Sequence, residues 1–295
     1  MADATLWQRI KDDGFRPPAG HPVDELIAEL EHMLTYADSR LRDDLAFEIL
    51  GEWIQLGLCD HDLGGLGDRM AAGLLRGIGE VGTDSVFGRS FSAVVLGLVV
   101  ERDNAVRLLG PNDLSRWIGG FTMWWELEGD LRGAVDAQRG WAHALAHGAD
   151  AIASLARSRL LGTAQARALL GSVVIRLRTT DGWALLASED DRLAYATMAL
   201  LHRGDLSATD LAEVIAPLHM LGRQRLRVDL DPEACAWINS LNWLRALYLQ
   251  LGLGVQAMPW YAPDNHFDRP VPERQQMLAV VESALREYSS WFADR

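Results

Sequence analysis

Apolar residues recur at three- and four-residue spacing along almost the whole chain, and runs in which β-branched and polar residues alternate are missing. The first pattern repeats with the turn of an α-helix and the second with the pleat of a strand, so the chain is confined to helices. The spacing predicts helices over roughly 23–36, 39–58, 65–79, 85–102, 112–128, 138–157, 163–178, 188–203, 208–221, 232–252 and 271–292. In Asp231-Pro232-Glu233 the aspartate can accept from first-turn amides, while Pro232 fills a position whose N–H would go unused. Ser207 through Asp210 forms a capping box with Asp in place of Glu. Gly162, Gly182 and Gly252 follow periodic runs and suit left-handed turns, whereas Gly148 lies inside a helix.

Short links join the helices in successive pairs, the pattern of an α-solenoid of the HEAT or armadillo kind. The alternative is an irregular globular helical bundle. The expected organisation is one all-helical domain over residues 1–295, with 1–22 as an N-terminal extension. Residues 253–270 make a long loop that is either a lid or a packed surface crossing.

A net charge of -13 argues against nucleic acid as a partner, because counterion release needs a clustered cationic surface. No run approaches the roughly 20 apolar residues that span a bilayer, and no targeting segment opens the chain, so the expectation is a cytoplasmic protein without a membrane partner. Cys59 and Cys235 form no C-x-x-C pair and read as reduced, buried thiols. Oligomeric state leaves no trace in the sequence.

Polar chemistry concentrates on helix 138–157. At about 100° per residue, His143, His147, Asp150 and Ser154 share one narrow stripe, opposite Trp141, Leu145, Ile152 and Leu155. Two histidines four apart can offer nitrogens to one cation, making His143 and His147 candidate ligands of a divalent metal. Position 144 is Ala, so the glutamate of H-E-x-x-H is absent. Asp150 lies a rise of about 10.5 Å from His143, so a third ligand comes more easily from Glu126, Glu128 or Asp130. The competing reading is a solvated helix face.

Ser85, Arg89 and Ser92 form a second stripe, continued by Leu96 and Val99, which carries Arg89 towards the interior. A guanidinium leaving water needs acceptors, and Glu128, Asp130 or Asp150 can supply them, either as a structural clasp or as part of a binding site. Asp84 reads as an N-cap. Glu128-Gly129-Asp130-Leu131-Arg132-Gly133 lies between helices, where acids can equally be turn formers. G-x-S-x-G and P-loop strings are absent. Cys59-Asp60-His61-Asp62 reads as a capped turn, and Trp124-Trp125 as core.

Several strings together carry a resemblance: Leu41 to Leu50, Asp84 to Ser92, Glu128 to Gly133, Gly140 to Asp150 and Glu189 to Ala194. In this order they resemble the bacterial domain-of-unknown-function family 2785 over roughly residues 40–250. The resemblance implies a helical, armadillo-like fold and supplies no reaction. The residues themselves point first to a binding module for a small polar ligand or peptide. Its pocket would be built from Arg89, Glu128, Asp130, Arg132, His143, His147 and Asp150. A metal-assisted hydrolase using His143 and His147 is the alternative from another class, and a protein–protein scaffold is the third.

Overall fold

A computed structural model describes residues 3–179, 182–222 and 231–289. It is mostly helical, with two short strands among the described residues, and divides into two compact units, Met1–Ala151 and Ile152–Arg295.

The first unit carries α1 (Ala4–Asp12), α2 (Val23–Met33), a π-helical stretch (Arg40–Phe47) running into α3 (Glu48–Gln55), then α4 (Leu63–Gly73), α5 (Ser85–Val106) and α6 (Pro111–Leu127). The segment expected as an extension therefore contains α1. Asp3 caps it by accepting from the Thr5 and Leu6 amides, and buried Trp7 meets Trp53 of α3 with ring centroids 6.3 Å apart. The run expected as one helix over 39–58 winds wider in its first half, where Arg42 is fully buried. Helix α5 packs on α3 and α4 and buries residues on every face, as expected of a helix apolar all round. Any polar side chain it carries must find partners.

Helix 138–157 is shorter than the sequence suggests. Two short strands, β1 (Ala134–Asp136) and β2 (Gly140–Trp141), pair antiparallel with Ala134 opposite Trp141, and helix α7 (Ala144–Arg157) starts only after them. The Asp136 carboxylate accepts from the Gln138 and Arg139 amides, and Gly140 takes a left-handed φ of 66°. Those local bonds offer residues 136–140 a turn that outcompetes the first helical turns. The unit boundary falls inside α7.

Gly148 sits mid-helix because a Cβ there would overlap the buried ring of Trp125. Ala has the better helix propensity by about 1 kcal/mol, yet forced overpacking costs about 1–3 kcal/mol. Gly148→Ala is therefore expected to lower the stability measured by urea denaturation. An unchanged or raised midpoint would show that Trp125 moves aside freely.

The second unit contains α8 (Thr163–Arg178), α9 (Glu189–His202), α10 (Ala208–Ile215), α11 (His219–Gly222), α12 (Pro232–Leu253) and α13 (Arg274–Tyr288). Helix α12 packs on α8, α9 and α13, and both α9 and α12 are buried on most of their circumference. Asp231 caps α12 through the Ala234 amide, and Ser207 and Asp210 form the expected box at α10. Two of the three glycine stops are displaced. Gly162 has φ −82° and is the N-cap of α8, its N–H donated to Gln165, while Gly252 is helical and Gly254, at φ 84°, ends α12. Gly182 is left-handed as expected, with φ 87°. In the long segment before α13, Tyr261, His266, Phe267 and Val271 are buried. Both cysteines are free and buried, and burial pushes the Cys59 thiol up to about 12. Among the described residues no helix is long and apolar enough to cross a membrane.

Candidate functional site

Arg89 is fully buried on α5, and all five of its N–H donors find acceptors. Nε and one terminal nitrogen grip Glu128 bidentately at 2.6 and 2.9 Å. The other donors reach the Gly77 carbonyl at 2.8 Å, Ser85 Oγ at 2.8 Å and the Glu80 carbonyl at 3.2 Å. Glu128, also buried, accepts further from Trp124 Nε1 and from the Asp130 amide, both at 2.9 Å. Asp130 is fully buried and holds Arg132 through Nε at 2.8 Å and a terminal nitrogen at 2.7 Å. The structure thus joins Arg89, Glu128, Asp130 and Arg132 into one network whose geometry is that of a clasp. A guanidinium so fully engaged has nothing left for a ligand.

That network explains a string the sequence reading passed over. Gly77-Ile78-Gly79-Glu80-Val81-Gly82 spells G-x-G-x-x-G ahead of α5, and its three glycines have φ of 68°, 89° and 77°. A phosphate cradle would present N–H groups outward. Here the Gly77 and Glu80 carbonyls turn onto Arg89, and the Gly82 N–H goes to Asp130 at 2.9 Å. The left-handed glycines let the loop wrap a buried cation.

The two histidines fall beside this clasp. His143 precedes α7 with a left-handed φ of 54°, donates its main-chain N–H to the Arg132 carbonyl, and stacks on Trp141 with centroids 4.3 Å apart. His147 lies within α7, against Phe91 at 4.9 Å. Its Nδ1 meets Ser90 Oγ at 2.8 Å, and Ser90 gives its own proton to the Ala142 carbonyl at 2.5 Å. A hydroxyl with its one hydrogen spent can only accept from the imidazole, so His147 carries hydrogen on Nδ1. The fully buried, committed Ser90 is arranged for packing and not for nucleophilic attack. The two imidazole centroids are 5.8 Å apart. Among the described residues no group of three or more His, Cys, Asp or Glu could hold a metal ion. Asp150 stands half-buried on the next turn of α7. Asp84 occupies the N-cap position of α5 without a side-chain cap bond, its carboxylate 3.4 Å from Arg139.

Arg42 is the residue missed. Its buried guanidinium lies 4.0 Å over the Phe87 ring and donates to the carbonyls of Tyr36, Ala37 and Arg139 and to Asp43. Burial lowers the Arg42 pKa and raises that of Asp43, while the pair's mutual attraction opposes both shifts. One signal was available: Arg42 falls on the helical stripe of Leu45, Ile49 and Trp53.

An open region of the unit also borders Arg89. Ser85, Gly88, Arg89 and Ser92 of α5 wall a cleft of about 460 Å³, completed by residues of α2 and α4, including Glu31, His32, Arg69 and Met70. A second hollow of about 620 Å³ lies alongside, lined by Asp24, Ile27, Cys59, His61, Asp62 and Leu66. Ala28, Glu31 and Arg69 belong to both. Arg69 reaches Glu31 through Nε at 2.8 Å and Asp62 at 2.9 Å, forming a strap between the two hollows.

A mostly helical unit with a buried arginine–carboxylate clasp and an open cleft beside it is the class this architecture defines. The chain belongs to the family described as protein of unknown function (DUF2785), whose model matches residues 74–249. That span includes the Arg89 clasp and both histidines, while α2 and α4 precede it. No curated protein and no solved structure matches the chain.

Proposed function

We propose that this chain is a binding protein whose first unit takes a small polar ligand or short peptide in the cleft between α2, α4 and α5. One observation carries the reading: the stripe Ser85–Arg89–Ser92 stands on the wall of a hollow of about 460 Å³, within the size range of small-molecule sites. The Arg89–Glu128 clasp acts as a rigid floor, and recognition falls to groups around it such as His32, Arg69 and Arg76. Helix neighbours within each unit, such as α3 and α4 on α5 or α8 and α10, support an armadillo-like array of hairpins. Two unbridged thiols support a reducing, cytoplasmic compartment.

Ala28 is exposed on α2 and lines both hollows, so Ala28→Trp fills the cleft without disturbing the core. In a thermal-shift screen of small polar metabolites and short peptides, a ligand at about 100 times its Kd should stabilise the wild type by about 2.7 kcal/mol. The variant should melt normally and show no shift. A panel without a binder, or a binder indifferent to Ala28→Trp, overturns the reading.

A further inference from the structure

We infer that the two hollows form one linear groove for a short basic peptide of a partner protein, an inference that rests on the cleft being a binding site. From Asp24 on α2 to Thr35 in the turn that follows it the wall spans eleven residue steps, about 16 Å at about 1.5 Å per step. That length holds about five residues of extended chain. Buried apolar side chains floor the groove on both sides of the strap, Ile27 and Leu66 on one and Leu34 and Met70 on the other.

The charges decide the occupant. Arg69 is shared between two carboxylates, Glu31 and Asp62, so this trio is net negative. The Arg89 charge is cancelled by Glu128. Asp24, whose carboxylate meets His61 Nε2 at 2.8 Å, and Glu80 also line the groove, and Arg76 is the remaining arginine. Hydroxyls of Ser85 and Thr83 hold the Glu80 carboxyl below its usual range, so it is ionised. A guanidinium or ammonium lying across the strap can share Glu31 and Asp62 with Arg69, while flanking apolar residues settle into the two hollows.

The test uses the full chain and a fluorescein-labelled, amidated Leu-Lys-Arg-Lys-Leu peptide, followed by anisotropy at about physiological salt, where diffuse attraction to an acidic protein is screened. We expect saturable binding, at least tenfold weaker for Ala28→Trp, which leaves every charge in place. The same loss is expected for Asp24→Asn with Asp62→Asn, and the charge-reversed Leu-Glu-Glu-Glu-Leu peptide should not bind. Failure of the basic peptide to bind overturns the inference, as does equal binding by Ala28→Trp. If the basic peptide fails while another ligand still binds in an Ala28-dependent way, the cleft stands and the basic-peptide inference alone falls.

Discussion

Arg89→Met should destabilise the protein by about 3–5 kcal/mol, among the largest effects of any single substitution in the first unit. Methionine roughly matches the volume but leaves the buried Glu128 carboxylate without its cation and the Glu80 carbonyl without its guanidinium donor, while the Gly77 carbonyl keeps only the Glu80 amide. The penalty comes from stranding a charge in a low-dielectric interior and not from the value of the pair itself. Combining Arg89→Met with Glu128→Gln removes the stranded charge, so the double variant should be more stable than the sum of the single losses predicts, with a coupling of about 1–3 kcal/mol. Urea denaturation of the four proteins checks both statements. Additive losses, or an Arg89→Met midpoint close to wild type, would show that the clasp is loosely held and wet.

Acidification should weaken the second unit through His266. This imidazole is buried beside His202 and Phe267, donates its Nε2 hydrogen to the Ala199 carbonyl at 2.8 Å, and is pulled down to about 4 by burial. Asp264 opposes that shift, while Arg157 and His202 add to it. With an unfolded value near about 6.5, the unfolded chain binds more protons than the native one between the two values, so stability rises with pH across that window. The contribution is complete above about pH 6.5 and lost as pH falls towards about 4, amounting to about 2–3 kcal/mol by about pH 4.5. His202, whose Nδ1 faces the Arg269 carbonyl, is lowered by burial too and acts in the same direction. His266→Gln keeps a donor for Ala199 without a titrating ring. Its stability difference between about pH 7 and about pH 4.5 should be smaller than that of wild type by about 2–3 kcal/mol. Parallel pH profiles for the two proteins would refute the assignment.

Features written in local chemistry were legible in the chain. The caps at Asp231 and Ser207 form as read, because a side chain two or three residues from an exposed amide needs no distant partner. The passage of Arg89 into the interior followed from its place on a stripe ending in Leu96 and Val99, and one of its three candidate acceptors, Glu128, is the partner. The same test applied to Arg42 would have found the second buried guanidinium. The stripe through His143 was drawn four residues too early, because periodicity alone cannot see the turn bonds of Asp136 or the left-handed Gly140.

Apolar spacing by itself determined that this chain is helical and where most helices run, since that pattern reports which side of each helix must leave water. Only the tertiary structure decided which polar groups are spent and which are available. Arg89 and Arg69 are alike on paper, yet one is sealed against Glu128 in the core and the other bridges Glu31 and Asp62 at the surface, lining two neighbouring hollows. The difference arises because a groove exists only between elements: its walls come from α2 and α4, whose exposed charges carry no periodic signal of the space they enclose.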